Sequence, residues 1–199
     1  MIYLLRHGET LWNAAGRLQG QSDSPLTWRG IEQARALGEI LSREILLREA
    51  LINGTAKMIS SPQGRAWQTA TIVAEVLGRD PQAIAFDARL KELDFGGWTG
   101  MTFEEVAAAH PEDWARREAD KWTARPPGGE SYADVAARAR SWLEEQDDSR
   151  TRIVVCHGLL GRVLRGLYGG LPPETIFTLD EPQSTLFRLR DGRIERIGG

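Results

Sequence analysis

The sequence predicts an α/β fold: a three-layer sandwich whose mostly parallel sheet carries helices on both faces and an antiparallel C-terminal edge. Three observations carry this prediction. Short apolar runs rich in β-formers alternate with amphipathic stretches along the chain. The final stretch, STLFRLRDGRIERI, has two strand-like runs around Asp191-Gly192, a pair suited to a type I′ turn. The length of 199 residues suits one domain, residues 1–199, with a helical lid-like excursion at about 95–130 where no strand is found.

Each element has its own signal. IYLLR (2–6) is a short apolar run and reads as a buried strand. After a Gly/Asn/Ser-rich loop, residues 25–51 have helical periodicity, with Thr27 as N-cap and Ile31, Ala34, Leu37, Gly38 and Leu41 on one face. KMIS (57–60) reads as a second strand, followed by a helix beginning near Ser61-Pro62 and ending at Gly78. Asp80-Pro81 is a turn, and AIAF (83–86) a third strand. Residues 101–122 are helical but broken at Pro111, which makes His110 a helix end. After the turn RPPGGE, residues 130–146 form an amphipathic helix. TRIVVC (151–156) is the clearest strand, and residues 159–169 form the helix after it.

Composition excludes several function classes. The hydrophobic fraction of 41% supports one sizeable core, and the net charge of −3 argues against nucleic acid as a partner while leaving room for a local anion site. A single cysteine, Cys156, rules out an intramolecular disulfide or a Cys-rich zinc site. There is no HExxH and no carboxylate-rich loop, so neither metal nor cofactor is expected. No apolar run approaches the ~20 residues needed to span a bilayer. With no basic, apolar leader before IYLLR, the expected setting is the cytoplasm, as a monomer or homodimer.

In open α/β sheets, ligands bind at the carboxyl ends of the strands. Those ends carry Arg6-His7-Gly8 after the first strand and Ser60-Ser61, with Arg65 a turn later, after the second. Glu92 and Asp94 follow the third strand, and His157-Gly158 the fourth. Two arginines and helix-entry N–H groups suit a tetrahedral dianion. Among them a neutral imidazole can attack phosphorus, and a second histidine, if protonated, can add positive charge. A carboxylic acid can then protonate the leaving oxygen.

These blocks also carry a resemblance. LLRHGET, SSPQGRAWQTA, LKELDFGGWTG, PPGGESY and VVCHG, in this order from about Ile2 to Tyr168, resemble the histidine phosphatase superfamily, also called phosphoglycerate mutase-like. The resemblance implies His7 as the residue phosphorylated, Arg6 and Arg65 as ligands of the phosphoryl oxygens, His157 as the second pocket histidine, and Glu92 as proton donor. It also implies substrate-side positions at Thr10, Asn13, Gln19, Gly20, Gly158 and Leu159, the last through its backbone N–H. Gly8 is read as leaving room for the backbone to approach the ligand.

The implied activity is metal-independent phosphomonoester hydrolysis through a phosphohistidine on a small phosphorylated metabolite. It is closest to the α-ribazole and broad-specificity phosphatase branches. The alternative is a cofactor-dependent phosphoglycerate mutase, with a catalytically inactive phosphate-binding or scaffold protein behind it. Against the mutase, RPPGGES lacks the extra segment such mutases carry, Phe103 stands where they have a lysine, and Arg116-Arg117 match their paired arginine only with shifted spacing.

Competing readings stand beside these. Alone, Arg6 is a surface salt-bridge residue and His157 a hydrogen-bonded strand end. Asp94 and Glu130 compete with Glu92 for the acid's role, although a turn bond and a helix start account for them. Cys156 and Arg162 have the Cys-x₅-Arg spacing of a cysteine phosphatase loop, which would make the thiolate the nucleophile. Trp98, Phe103, Trp114 and Trp122 lie in or near the excursion, as packing residues or as contacts for a leaving group.

Overall fold

In the computed structural model, which describes residues 1–146 and 150–198, the chain runs β1 (Ile2–Arg6), α1 (Leu11–Ala14), α2 (Trp28–Arg43), α3 (Ile45–Ile52), β2 (Ala56–Ser60), α4 (Gly64–Val76), β3 (Ala85–Phe86), α5 (Phe103–Ala109), α6 (Pro111–Ala119), α7 (Tyr132–Glu144), β4 (Thr151–Cys156), α8 (Gly158–Tyr168), α9 (Pro173–Ile176), β5 (Leu186–Arg190) and β6 (Arg193–Ile197). The strands form one sheet in the order β3-β2-β4-β1-β5-β6. The first four are parallel, and β5 and β6 add the antiparallel edge. Asp191 and Gly192 both take positive φ, 51° and 71°, as a type I′ turn requires.

Side-chain alternation along the strands divides the core into two layers. Tyr3, Leu5, Ile153 and Val155 face α2 and α4, where they meet Leu37, Leu41, Ala70 and Val73. Ile2, Leu4, Val154 and Cys156 face the other way, toward Val135 and Ala139 of α7 and Leu160, Val163 and Leu164 of α8. The segment after β3 leaves the sheet. Its α5 and α6 lie on the second layer, with Trp98 and Val106 buried and Trp114 and Trp122 packed against that core. No helix among the described residues is long and apolar enough to cross a membrane.

Helix starts follow their caps. Thr27 Oγ1 accepts from Gly30 N at 3.0 Å, and Thr102–Glu105 and Ser131–Asp134 form capping boxes. Several elements differ from expectation. The helix expected over 25–51 breaks at Glu44, whose ψ of 109° leaves the helical region. From there the Glu44 carboxylate accepts from Arg188 Nη1 at 2.7 Å and Tyr3 OH at 3.3 Å, contacts 144 and 41 residues away in sequence. Helix α4 starts at Gly64 instead of Ser61-Pro62, the strand expected over 83–86 is confined to Ala85–Phe86 because Pro81–Ala83 winds into a 3₁₀ turn, and neither α1 nor α9 was foreseen.

The N-terminus of α2 meets the β1–α1 loop backbone to backbone. A Cβ on Gly8 would lie 2.8 Å from Gly30 C, and one on Gly30 would lie 2.8 Å from Glu9 N. Gly8 therefore makes room for a helix, which corrects the expectation that it makes room for a ligand. Gly30→Ala should cost about 1–3 kcal/mol through overpacking, measured by urea denaturation. An unchanged midpoint would contradict this contact.

Candidate active site

Parallel pairing in register brings the strand ends to one line: Arg6 lies opposite Cys156, and Ser60 opposite both Val155 and Phe86. The residues that follow therefore share one rim. His7 and His157 stand side by side, ring centroids 5.2 Å apart, each only 1–2% exposed. Arg65, 1% exposed, enters from the first turn of α4.

The state of His7 is set by its two ring contacts. Nδ1 lies 2.7 Å from the Gly8 carbonyl oxygen, which accepts only, so Nδ1 carries the proton. Nε2 then holds the lone pair, and it accepts from Arg65 Nε at 3.1 Å. Burial, then Arg65 and Arg6, hold the His7 pKa well below the ordinary imidazole value. His157 is held low in the same way, by burial and by Arg65, His7 and Arg6, so it is neutral here instead of adding positive charge. Its Nε2 lies 2.8 Å from Ser61 Oγ, and its Nδ1 is buried without a hydrogen-bond partner.

Arg65 is anchored by the loop that follows Gln19, of which Ser22 and Asp23 carried no signal in the sequence. Its Nη1 donates to Ser22 O at 2.6 Å and Asp23 Oδ1 at 2.9 Å, and its Nη2 to Gly20 O at 2.9 Å. Asp23 also accepts from the backbone N–H of Gly64 and Arg65, at 2.6 and 3.2 Å. One carboxylate thus caps α4 from a distance and pairs with the arginine that α4 presents. Gly20 takes φ +53°, which favours glycine.

Glu92 reaches the rim from the loop after β3. Its carboxylate accepts from Leu159 N and Leu160 N at 3.1 and 3.0 Å, at the start of α8, and from Leu93 N at 3.0 Å. The backbone N–H expected of Leu159 is thus donated to Glu92. Burial and the Glu181 carboxylate raise the Glu92 pKa, against the opposing pull of Arg65 and the backbone donors. The competing acids are engaged elsewhere: Asp94 Oδ1 accepts from Gly96 N, and Glu130 pairs with Arg138.

Arg6, His7, Asn13, Gln19, Gly20, Arg65, Glu92 and Leu159 line one cavity of about 190 Å3. Thr10 and Gly158 do not. Thr10 Oγ1 caps α1 by accepting from Asn13 N at 3.1 Å. Gly158 sits behind Arg6, where a Cβ would meet Arg6 Cζ at 3.0 Å. The outer wall holds residues the sequence did not single out for it, among them Arg17, Tyr132 and Glu181. The Glu181 carbonyl accepts from Arg6 Nη1, and its carboxylate pairs with Arg162. Arg117 lines the cavity beneath Phe103 and Trp114, with Cζ 5.3 and 5.4 Å from their ring centres, whereas Arg116 pairs outward with Asp113. Of the aromatic residues of the excursion, Phe103 reaches the cavity, Trp98 is core, and Trp122 stacks on Tyr132. Among the described residues no group of three or more His, Cys, Asp or Glu is placed to hold a metal.

Cys156 is not poised as a nucleophile. It is fully buried in the core layer beneath α8, and burial, with Glu92 nearby, pushes its thiol up to about 12. Arg162 is spent on Glu181 and on Phe177 O. A disulfide reagent at mildly alkaline pH should leave the native protein unlabelled and react once it is denatured. Labelling of the native protein within minutes would contradict this burial.

The comparisons with known proteins identify the family. The profile of the histidine phosphatase superfamily (branch 1) matches residues 2–195. The probable phosphoglycerate mutase GpmB of Salmonella paratyphi C is 39% identical over 176 residues, covering 86% of this chain and 75% of its own. A mycobacterial glucosyl-3-phosphoglycerate phosphatase, whose structure is a complex with VO3, is 31% identical with a TM-score of 0.75, covering 98% of this chain and 96% of that one. The α-ribazole phosphatase from Shigella flexneri shares the fold, with a TM-score of 0.83 at 22% identity over 100% of this chain and 96% of that one. With its paired histidines at the carboxyl edge of the sheet and a profile match running from the first strand to the last, the chain belongs to the histidine phosphatase superfamily, branch 1.

Proposed function

We propose that this enzyme hydrolyses a small phosphomonoester without a metal, passing the phosphoryl group through His7. One observation carries the reading: His7 is buried, neutral and locked with Nδ1–H on Gly8 O, so its Nε2 lone pair points at the cavity's arginine. Arg65 makes four hydrogen bonds, one fewer than its five N–H groups allow, and its bond to Nε2 is the one that gives way to a phosphoryl oxygen. Arg6, Arg65 and an N–H of His157 then hold the equatorial oxygens, and the two guanidinium groups supply the charge a metal would otherwise bring.

In the first step Nε2 forms a bond to phosphorus as the ester P–O bond breaks, and Glu92 gives its proton to the leaving oxygen. In the second, water attacks phosphorus and loses a proton to the Glu92 carboxylate. The P–N bond breaks, His7 returns to its starting tautomer and inorganic phosphate leaves. Asn13, Gln19, Gly20 and Leu159 line the substrate side, and Leu18, Phe95 and Phe103 give the leaving group an apolar surface. The phosphatases among the similar structures support hydrolysis. The similarity to GpmB, described as a probable phosphoglycerate mutase, keeps isomerisation as the second reading.

Rapid quenching with p-nitrophenyl [32P]phosphate in the presence of chelator tests this. We expect an acid-labile label that is present in Cys156→Ser and absent in His7→Ala. With an alkyl phosphate the labelling rate should be bell-shaped in pH. It should fall in acid only as His7 protonates, below the ordinary imidazole range. It should fall again as pH rises through the elevated pKa of Glu92. Glu92→Gln should remove that alkaline limb and cost about 10²-fold or more. An acid-stable label, or a requirement for metal, would overturn the reading. With 3-phosphoglycerate we expect release of inorganic phosphate, and isomerisation stimulated by 2,3-bisphosphoglycerate would establish the mutase instead.

A further inference from the structure

The loop that carries Glu92 has little structure of its own. Between β3 and α5 the backbone makes only short 3₁₀ turns, Ala88–Leu90 and Gly96–Trp98, so, although α8 holds the tip of the Glu92 carboxylate, no strand or long helix fixes the backbone that carries it. One side chain from another element supplies what the loop lacks. Arg138, on α7, donates through Nη1 to Arg89 O at 2.7 Å and Lys91 O at 2.6 Å, and through Nη2 to Glu92 O at 3.1 Å. The same guanidinium grips Glu130 along one edge, Nε to Oε1 at 3.0 Å and Nη2 to Oε2 at 3.1 Å.

Glu130 in turn ties the far side of the loop. Its Oε2 accepts from Asp94 N at 3.0 Å, and its own N–H donates to Asp94 O at 2.9 Å. Gln63 completes the fastening by accepting Glu92 N at 2.8 Å while donating to Gly20 O at 2.9 Å. The backbone on both sides of Glu92 is therefore held by groups outside the loop, and the Arg138–Glu130 pair is the largest of these ties. Arg138 does not line the cavity.

We infer that Arg138, braced by Glu130, is a positioning residue for the leaving-group acid: it fixes the backbone of residues 89–94 so that the Glu92 carboxyl faces the cavity at the start of α8. The inference rests on the proposed role of Glu92. A guanidinium fits this task because its planar fork can serve several carbonyls and a carboxylate at once, which a lysine's single ammonium cannot. Displacing an acid by about 1 Å can cost on the order of 10²-fold in rate. The loss should appear only where the leaving oxygen needs a proton. p-Nitrophenolate leaves without one, whereas an alkoxide does not.

The test is kcat/KM, which reports formation of the phosphoenzyme, for glycerol 1-phosphate and p-nitrophenyl phosphate in Arg138→Met, Arg138→Lys and Glu92→Gln. Arg138→Met should lose roughly 10- to 100-fold on glycerol 1-phosphate and stay within about threefold on p-nitrophenyl phosphate. Arg138→Lys should fall between Arg138→Met and the wild type. If Arg138→Met does not fold, Glu130→Gln keeps the shape of the brace and should shift the ratio in the same direction. Equal losses on both substrates, or an unchanged alkyl rate in a folded variant, would overturn the inference. Glu92→Gln separates the two layers. If it shows no selectivity between leaving groups, the role of Glu92 itself fails. If it does and the Arg138 variants do not, only the clamp fails.

Discussion

The structure of this site depends on one buried guanidinium. Removing Arg65 from water carries a penalty of several kcal/mol unless its donors are satisfied, and the surrounding chain is arranged to satisfy them. The loop at Gly20, Ser22 and Asp23 supplies two carbonyls and a carboxylate, and His7 supplies a ring nitrogen. Each of these contacts constrains something else. Asp23 also caps α4, Gly20 takes a positive φ, and His7 is confined to one tautomer. A network in which every member is hydrogen-bonded is rigid, and rigidity in a buried site strengthens the action of fixed charges.

The electrostatics of the rim follow from the same arrangement. Burial first, and then the two nearby arginines, keep both imidazoles neutral, which leaves each ring one lone pair and one N–H. The acid is tuned in the opposite direction. Burial raises Glu92, and Glu181, which pairs with Arg6 and Arg162, adds a second negative charge that favours the protonated form. Burial and neighbouring charge thus move the two groups of one cavity in opposite directions, His7 down and Glu92 up.

Much of this was visible in the sequence because it depends on local pattern. Strand runs placed Arg6-His7 and His157 at neighbouring ends, and the parallel register then did the rest. Residues whose purpose lies in distant contacts were not visible. Glu44 breaks a well-patterned helix to reach Arg188, and Asp23 caps α4 from the loop before α2. Gly8 resembled a ligand-facing glycine, but its space is filled by Gly30. Thr10 belonged to a recognisable block, yet its hydroxyl is committed to a capping bond. Arg138 carried no signal, since an arginine on the polar side of an amphipathic helix is ordinary until the loop it holds is seen.

The most direct test of the account is the protonation state of His7, read from the imidazole nitrogen chemical shifts of the 15N-labelled protein as pH is lowered. The ring should stay neutral, with its proton on Nδ1, throughout the range in which an ordinary histidine becomes charged. A ring protonated on Nε2 instead, or one that titrates at the ordinary imidazole value, would contradict it.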